Sequence, residues 1–128
     1  MGFKETFNKY FNNHSETLEK HWDPNLRSKY YKTTKDKALD VVTQYFKRKP
    51  GCEVMATSKD HGEITINFKG KRKAFVIVTI IMVRPLQTAV DFSVTTEGSL
   101  FDLGFSHNLI TKFYQELKSE MTPLDRVN

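Results

Sequence analysis

The fold turns on residues 63–96, EITINFKGKRKAFVIVTIIMVRPLQTAVDFSVTT. Ile64, Ile66 and Phe68 alternate with Glu63, Thr65 and Asn67, the period-two pattern of a strand with one wet face. Lys69, Gly70, Lys71 and Arg72 interrupt it as a turn. Residues 74–83 are apolar on both faces except at Thr79. That predicts a central strand covered on both sides, or one with an exposed functional face. Arg84, Pro85, Leu86 and Gln87 lead into residues 88–96. There Val90, Phe92 and Val94 alternate with Ala89, Asp91, Ser93 and Thr95. Connections this short join antiparallel neighbours.

On the N-terminal side, residues 52–57 read as the first strand of this meander, closed by the Lys59, Asp60, His61, Gly62 turn. Ahead of it lies a helix reaching about Lys49. Thr33 and Thr34 offer its N-cap, Asp36 its acidic first turn and Lys47, Arg48 and Lys49 its basic last turn. Ala38, Val41, Val42, Tyr45 and Phe46 form its inner stripe, and Pro50 and Gly51 stop it. Residues 27–33, RSKYYKT, read as a short strand entering that helix. On the C-terminal side, residues 97–100 form a loop. A closing helix runs from near Ser106 to about Glu120, with Leu109, Ile110, Phe113, Tyr114 and Leu117 on one stripe. At the chain start, Phe3, Phe7, Tyr10, Phe11, His14 and Leu18 recur at helical steps and predict an amphipathic helix over 3–20. A turn at Trp22, Asp23, Pro24 and Asn25 ends it.

The expectation is an α+β fold: a five-stranded, mainly antiparallel sheet with two helices packed on one face, in the order β-α-β-β-β-β-α, plus the N-terminal amphipathic helix. The chain divides into that helix and turn (1–24), a single α+β domain (25–122) and a frayed tail (123–128). With 128 residues, 10 Phe and 5 Tyr, one domain can fill its core with rings.

The formal charge of +5 is uneven. Residues 1–50 carry 11 Lys/Arg against 6 Asp/Glu, and residues 101–128 carry 3 against 4. This excess aids solubility without establishing nucleic-acid binding. The single cysteine, Cys52, rules out an internal disulfide and a thiolate zinc cluster. With charges appearing at once after Met1, it points to the reducing cytoplasm.

No catalytic signature emerges. His14, His21, His61 and His107 are scattered without metal-ligand spacing, so no metal or cofactor is expected. Cys52 opens a strand rather than a helix, so a structural role is favoured over a nucleophilic one. Asp91 is a carboxylate within an otherwise apolar and small-residue strand. With Arg84 and Thr79 it makes a candidate ligand-binding set, and its bland reading is a polar residue on a half-exposed sheet face, or an ion-pair partner. Lys47, Arg48 and Lys49 with Lys69, Lys71, Arg72 and Lys73 form a candidate anion or nucleic-acid patch, if the fold joins them. A charged, solubilising turn is the bland alternative and the favoured one. Phe3, Phe7, Tyr10 and Phe11 form a candidate interaction helix. Docking on its own sheet or on a second subunit is favoured over contact with a membrane.

Three stretches, YYKTTKDKAL (30–39), VTIIMVRPLQTAVDFSVTT (78–96) and FDLGFSHNLITKFYQEL (101–117), resemble a family of small uncharacterised proteins of Bacillus-like bacteria. More distantly, Asp102, Leu103 and Gly104 resemble the Asp-Leu-Gly turn of the DUF1499 proteins. The Arg-Ser-rich strand that often precedes it there is replaced here by Phe92, Ser93, Val94, Thr95 and Thr96. The resemblance implies a bacterial cytosolic protein and supplies no mechanism.

The residues thus favour a non-enzymatic binding or protein-interaction domain, with a homodimer or an unidentified protein partner leading. The alternatives are a small apolar or anionic ligand held between sheet and helices, weak nucleic-acid binding through the basic turns, and an enzyme in which Asp91, His61 or His107 converges on a pocket.

Overall fold

The structure, a computed structural model, describes residues 14–17, 26, 28–70, 73–96 and 105–124. Their order is β1 (His14–Glu16), β2 (Lys29–Tyr31), α1 (Lys35–Arg48), β3 (Cys52–Ser58), β4 (Glu63–Lys69), β5 (Lys73–Arg84), β6 (Gln87–Thr96), α2 (Phe105–Leu117) and β7 (Pro123–Leu124). All strands join one sheet in the order β3-β4-β5-β6-β2-β7, with β1 also on β6, and every pairing is antiparallel. The α+β class, the meander and the two helices on the sheet agree with the sequence.

Four expectations need correction. Among the described residues the sheet has seven strands, not five. Residues 14–16, inside the helix expected over 3–20, instead pair with residues 93–95 of β6. Asn12, Asn13 and His14 are poor helix formers, and the open edge of β6 offers main-chain partners that an isolated turn of helix lacks. Pro123 and Leu124, expected to fray, pair with Tyr31 and Tyr30. Finally, α2 stops at Leu117, before the expected Glu120. The chain there turns so that the Met121 N–H donates to the Leu117 carbonyl (3.1 Å), which tucks Met121 into the core. The stripe of Phe3, Phe7, Tyr10 and Phe11, the turn at 22–25, Lys71 and Arg72, the loop at 97–100 and the Asp102, Leu103, Gly104 turn lie outside the described residues.

Local chemistry accounts for the main elements. The Thr34 hydroxyl caps α1 by accepting from the Lys37 N–H (3.3 Å), and Asp36 occupies the first turn. Ala38, Leu39, Val42, Tyr45 and Phe46 face the sheet and are buried. The matching sheet face is Ile64 and Ile66 of β4, Ala74, Val76, Val78 and Ile80 of β5, and Val90, Phe92 and Val94 of β6. Between the layers, Phe46, Phe92 and Phe113 contact one another, with Tyr45 and Tyr114 at the margin; most of these ring pairs are edge-to-face. Burying each such side chain contributes about 1.5–3 kcal/mol.

Among the described residues the helices α1 and α2 cover one face alone. On the other, Phe75, Ile81 and Val83 are exposed, so the doubly apolar β5 is a central strand with one open side among the described residues. β5 also outruns its neighbour. β4 pairs with residues 73–79, and the last link is the Ile80 N–H donating to the Gly62 carbonyl (2.7 Å). Gly62 has φ +66°, and a β-carbon there would overlap the Ile80 carbonyl. Gly51, with φ +84°, has room for a β-carbon, which would meet Phe68 Cε1 at 3.9 Å and the Gly70 nitrogen at 4.0 Å, ordinary van der Waals contacts. Substituting alanine should therefore cost about 1 kcal/mol at Gly51, from the left-handed backbone alone, and about 2–4 kcal/mol at Gly62, where a steric clash is added. Urea unfolding midpoints of Gly51→Ala and Gly62→Ala check that order.

Candidate functional site

β6 is flanked by β5 along one edge, while two separate pieces of chain share the other. β1 pairs with residues 93–95 and β2 with residues 88–90. Asp91 and Phe92 sit at the join. The Thr17 N–H donates to the Phe92 carbonyl (2.7 Å), and the Phe92 N–H donates to the Thr17 hydroxyl (2.8 Å). The hydroxyl thus takes the place of a strand carbonyl as the chain leaves the sheet. That same hydroxyl donates to Asp91 Oδ1 (2.7 Å), and the Ser28 hydroxyl donates to it as well (2.5 Å). One carboxylate oxygen therefore gathers Thr17, next after β1, and Ser28, next before β2. Beneath it, the Tyr114 hydroxyl donates to the Val90 carbonyl (2.6 Å), and Lys29 Nζ lies 5.8 Å from the Tyr114 ring centre. Burial, more than the nearby Asp91, holds the Tyr114 phenol well above its ordinary pKa.

Of the candidate ligand set, Asp91 and Thr79 are register partners on the face away from the helices, and Glu63 continues the same row on β4. Arg84 stands at the hairpin end opposite Gln87. It is five residues from Thr79, or roughly 16 Å along an extended strand. The fold thus joins two of the three and separates the third. His61 lies in the turn before β4, where its ring meets the Ser58 hydroxyl (2.8 Å), and His107 lies in the first turn of α2. Among the described residues no group of three or more His, Cys, Asp or Glu could hold a metal ion.

A second polar cluster was not legible in the sequence. Tyr45 OH and Lys49 Nζ (2.7 Å) both donate to Glu116 Oε1, joining the end of α1 to α2. Partial burial would raise the Glu116 carboxyl, but the hydrogen bonds from Lys49 and Tyr45 outweigh it and leave the pKa lowered. Cys52 lies beside this cluster. Burial raises its thiol pKa, Lys49 opposes that and Glu116 reinforces it. The expected structural cysteine fits this environment, which keeps sulfur protonated.

The described parts of the two basic segments come near each other: the Lys69 N–H donates to the Gly51 carbonyl (2.6 Å), which sets the end of β4 beside the end of α1. The charges there are mixed, however. Lys49 pairs with Glu116, Arg48 with Glu120 (2.5 Å) and Lys69 with Glu53 (3.1 Å), while Lys47 and Lys73 are exposed.

The largest exposed apolar side chains follow a different pattern. Met55 lies on β3; Phe75, Ile81, Met82, Val83 and Leu86 all belong to β5 and the hairpin that follows it. No helix among the described residues is long and apolar enough to cross a membrane.

Two outcomes follow from these clusters. Asp91→Ala should lower stability by about 1–3 kcal/mol, because two hydroxyls lose their acceptor. Asp91→Asn, whose amide oxygen accepts the same bonds, should restore most of it in urea titrations. Cys52 should react with iodoacetamide several-fold more slowly than free cysteine at pH 8, as followed by mass spectrometry, and a faster reaction would mean an activated thiol.

Scans against protein-family models, curated proteins and solved structures gave no match to this chain.

Proposed function

We propose that this chain is a non-enzymatic protein-interaction domain of the reducing cytoplasm, acting as a homodimer. The observation that carries this reading is the concentration of exposed apolar side chains on β5 and its hairpin, from Phe75 to Leu86. Scattered surface apolar residues are normal, whereas Ile81, Met82, Val83 and Leu86, gathered at the end of β5 and in its hairpin, mark a contact site. The polar groups support the same reading. Asp91, Glu116 and Tyr114 hold the chain's own elements together, which is the work of a scaffold. The ring cluster of Phe46, Phe92 and Phe113 packs the space between sheet and helices and so weighs against a ligand held there. The adjacency of Lys69 to the basic end of α1 supports a second, weaker reading, contact with a polyanion.

Native mass spectrometry of the full chain tests the first reading. A species at twice 14.9 kDa, growing with concentration, is the expected result. A 14.9 kDa monomer up to near-millimolar concentration would count against it.

A further inference from the structure

β5 pairs with β4 as far as Thr79 and takes its last bond from Gly62 at Ile80, yet it continues to Arg84. Beyond that point its other edge pairs with β6, and among the described residues no strand lies along the β4-side edge. Residues i and i+2 of a strand direct their peptide groups to the same edge. Since the Ile80 N–H points toward β4, the Met82 N–H and C=O point to the open edge. The strip is thus a projecting arm with an available ladder and apolar side chains around it. Ile81 faces away from the helices with its register partner Ala89, and Met82 faces the other way with Thr88. Ile81, Met82, Val83 and Leu86 are each 44–51 % exposed. Protective features are sparse: Pro85 lies in the turn, the register shifts between Met82 and Arg84, and Arg84 is the sole charge from residue 77 to residue 89.

We propose that this edge pairs with the same edge of a second copy, as an antiparallel two-fold extension of the sheet. The inference rests on the interaction-domain reading and names its partner and surface. Three features favour a second copy. An antiparallel edge is complementary to itself about a two-fold axis, since each chain supplies the donors and acceptors its partner lacks. An axis through Met82, the residue whose N–H and C=O face the open edge, sets the two Arg84 side chains at opposite ends, roughly 13 Å apart along the strands, so like charges do not face each other. Each Arg84 then approaches the other copy's β3–β4 turn, which carries the exposed acid Asp60. The area is also sufficient. The four half-exposed side chains present roughly 300–350 Å² per copy. With main chain, Pro85 and Arg84 included, the pair comes near the ~1,000 Å² of a specific interface.

The test is Met82→Pro in the full chain. Proline removes the N–H on the open edge and leaves the bonds to β6 in place, a position where strands tolerate it. Sedimentation velocity and circular dichroism are compared with the native sequence. The expected result is a native-like spectrum with the dimer dissociation constant raised at least tenfold. Val83→Lys, which sets a charge in the strip without touching the ladder, should do the same and stands in if the proline variant does not fold. Hydrogen exchange on the native chain should show Met82 amide protection rising with protein concentration. A dimer that persists in both variants, with a concentration-independent Met82 amide, overturns the edge pairing while leaving an interaction domain that uses another surface. A native chain that stays monomeric overturns the pairing and the homodimer together.

Discussion

Main-chain N–H and C=O groups inside a sheet must be paired, and β6 is where this chain meets that demand with the most pieces. Its ten residues have a continuous partner on the β5 side, but the other edge is completed by two short strands, β1 and β2. At the join, the Thr17 hydroxyl accepts the Phe92 N–H that a strand carbonyl would otherwise take, and Asp91 ties Thr17 to Ser28. The core depends on this join. Phe92 packs against Phe46, Phe113 and Tyr114, so the strand that anchors the ring cluster is the one whose edge is closed by side chains. Among the described residues no buried side-chain nitrogen or oxygen lacks a hydrogen-bond partner, so the arrangement satisfies its polar groups as well as its apolar ones.

The elements legible in the sequence are those whose signals are local. α1 carries its cap, stripe, basic end and stop within residues 34–51, and β4 to β6 announce themselves by alternation and turns. β1 was not legible, because three residues are too few to show a period and lie among aromatics at helical steps. β7 was hidden by Pro123, which reads as a helix stop but also sits well at a sheet edge, where no N–H is needed. The candidate site was legible in part. Asp91 stood out as a carboxylate in an apolar strand, but its partners Thr17 and Ser28 are 74 and 63 residues away, and Glu116 is 71 residues from Tyr45. Contacts at that separation leave no mark in composition or spacing. The basic segments show the same limit from the other side. Their proximity follows from the fold, and so does the acidic company that tempers it, since Glu53, Glu116 and Glu120 come from β3, α2 and the turn after α2.

The doubly apolar β5 joins the two themes. One face is explained by the core, because Ala74, Val76, Val78 and Ile80 meet the helices. The other face and the arm beyond Ile80 are not, since burial in the described fold accounts for neither Ile81 nor Val83. A chain under pressure only to fold and stay soluble would place polar residues there, because strips of high β-propensity with a bare ladder recruit other chains. A lysine at 81 or 83 would cost the fold little. Four apolar residues stand there instead, on an arm that the β3–β4 turn leaves uncovered, because close approach of Gly62 to Ile80 ends the pairing at that point. The same glycine that completes the sheet therefore marks where, among the described residues, the free edge begins, and a contact made there would bear on the frame without competing with the hydrogen bonds that hold it.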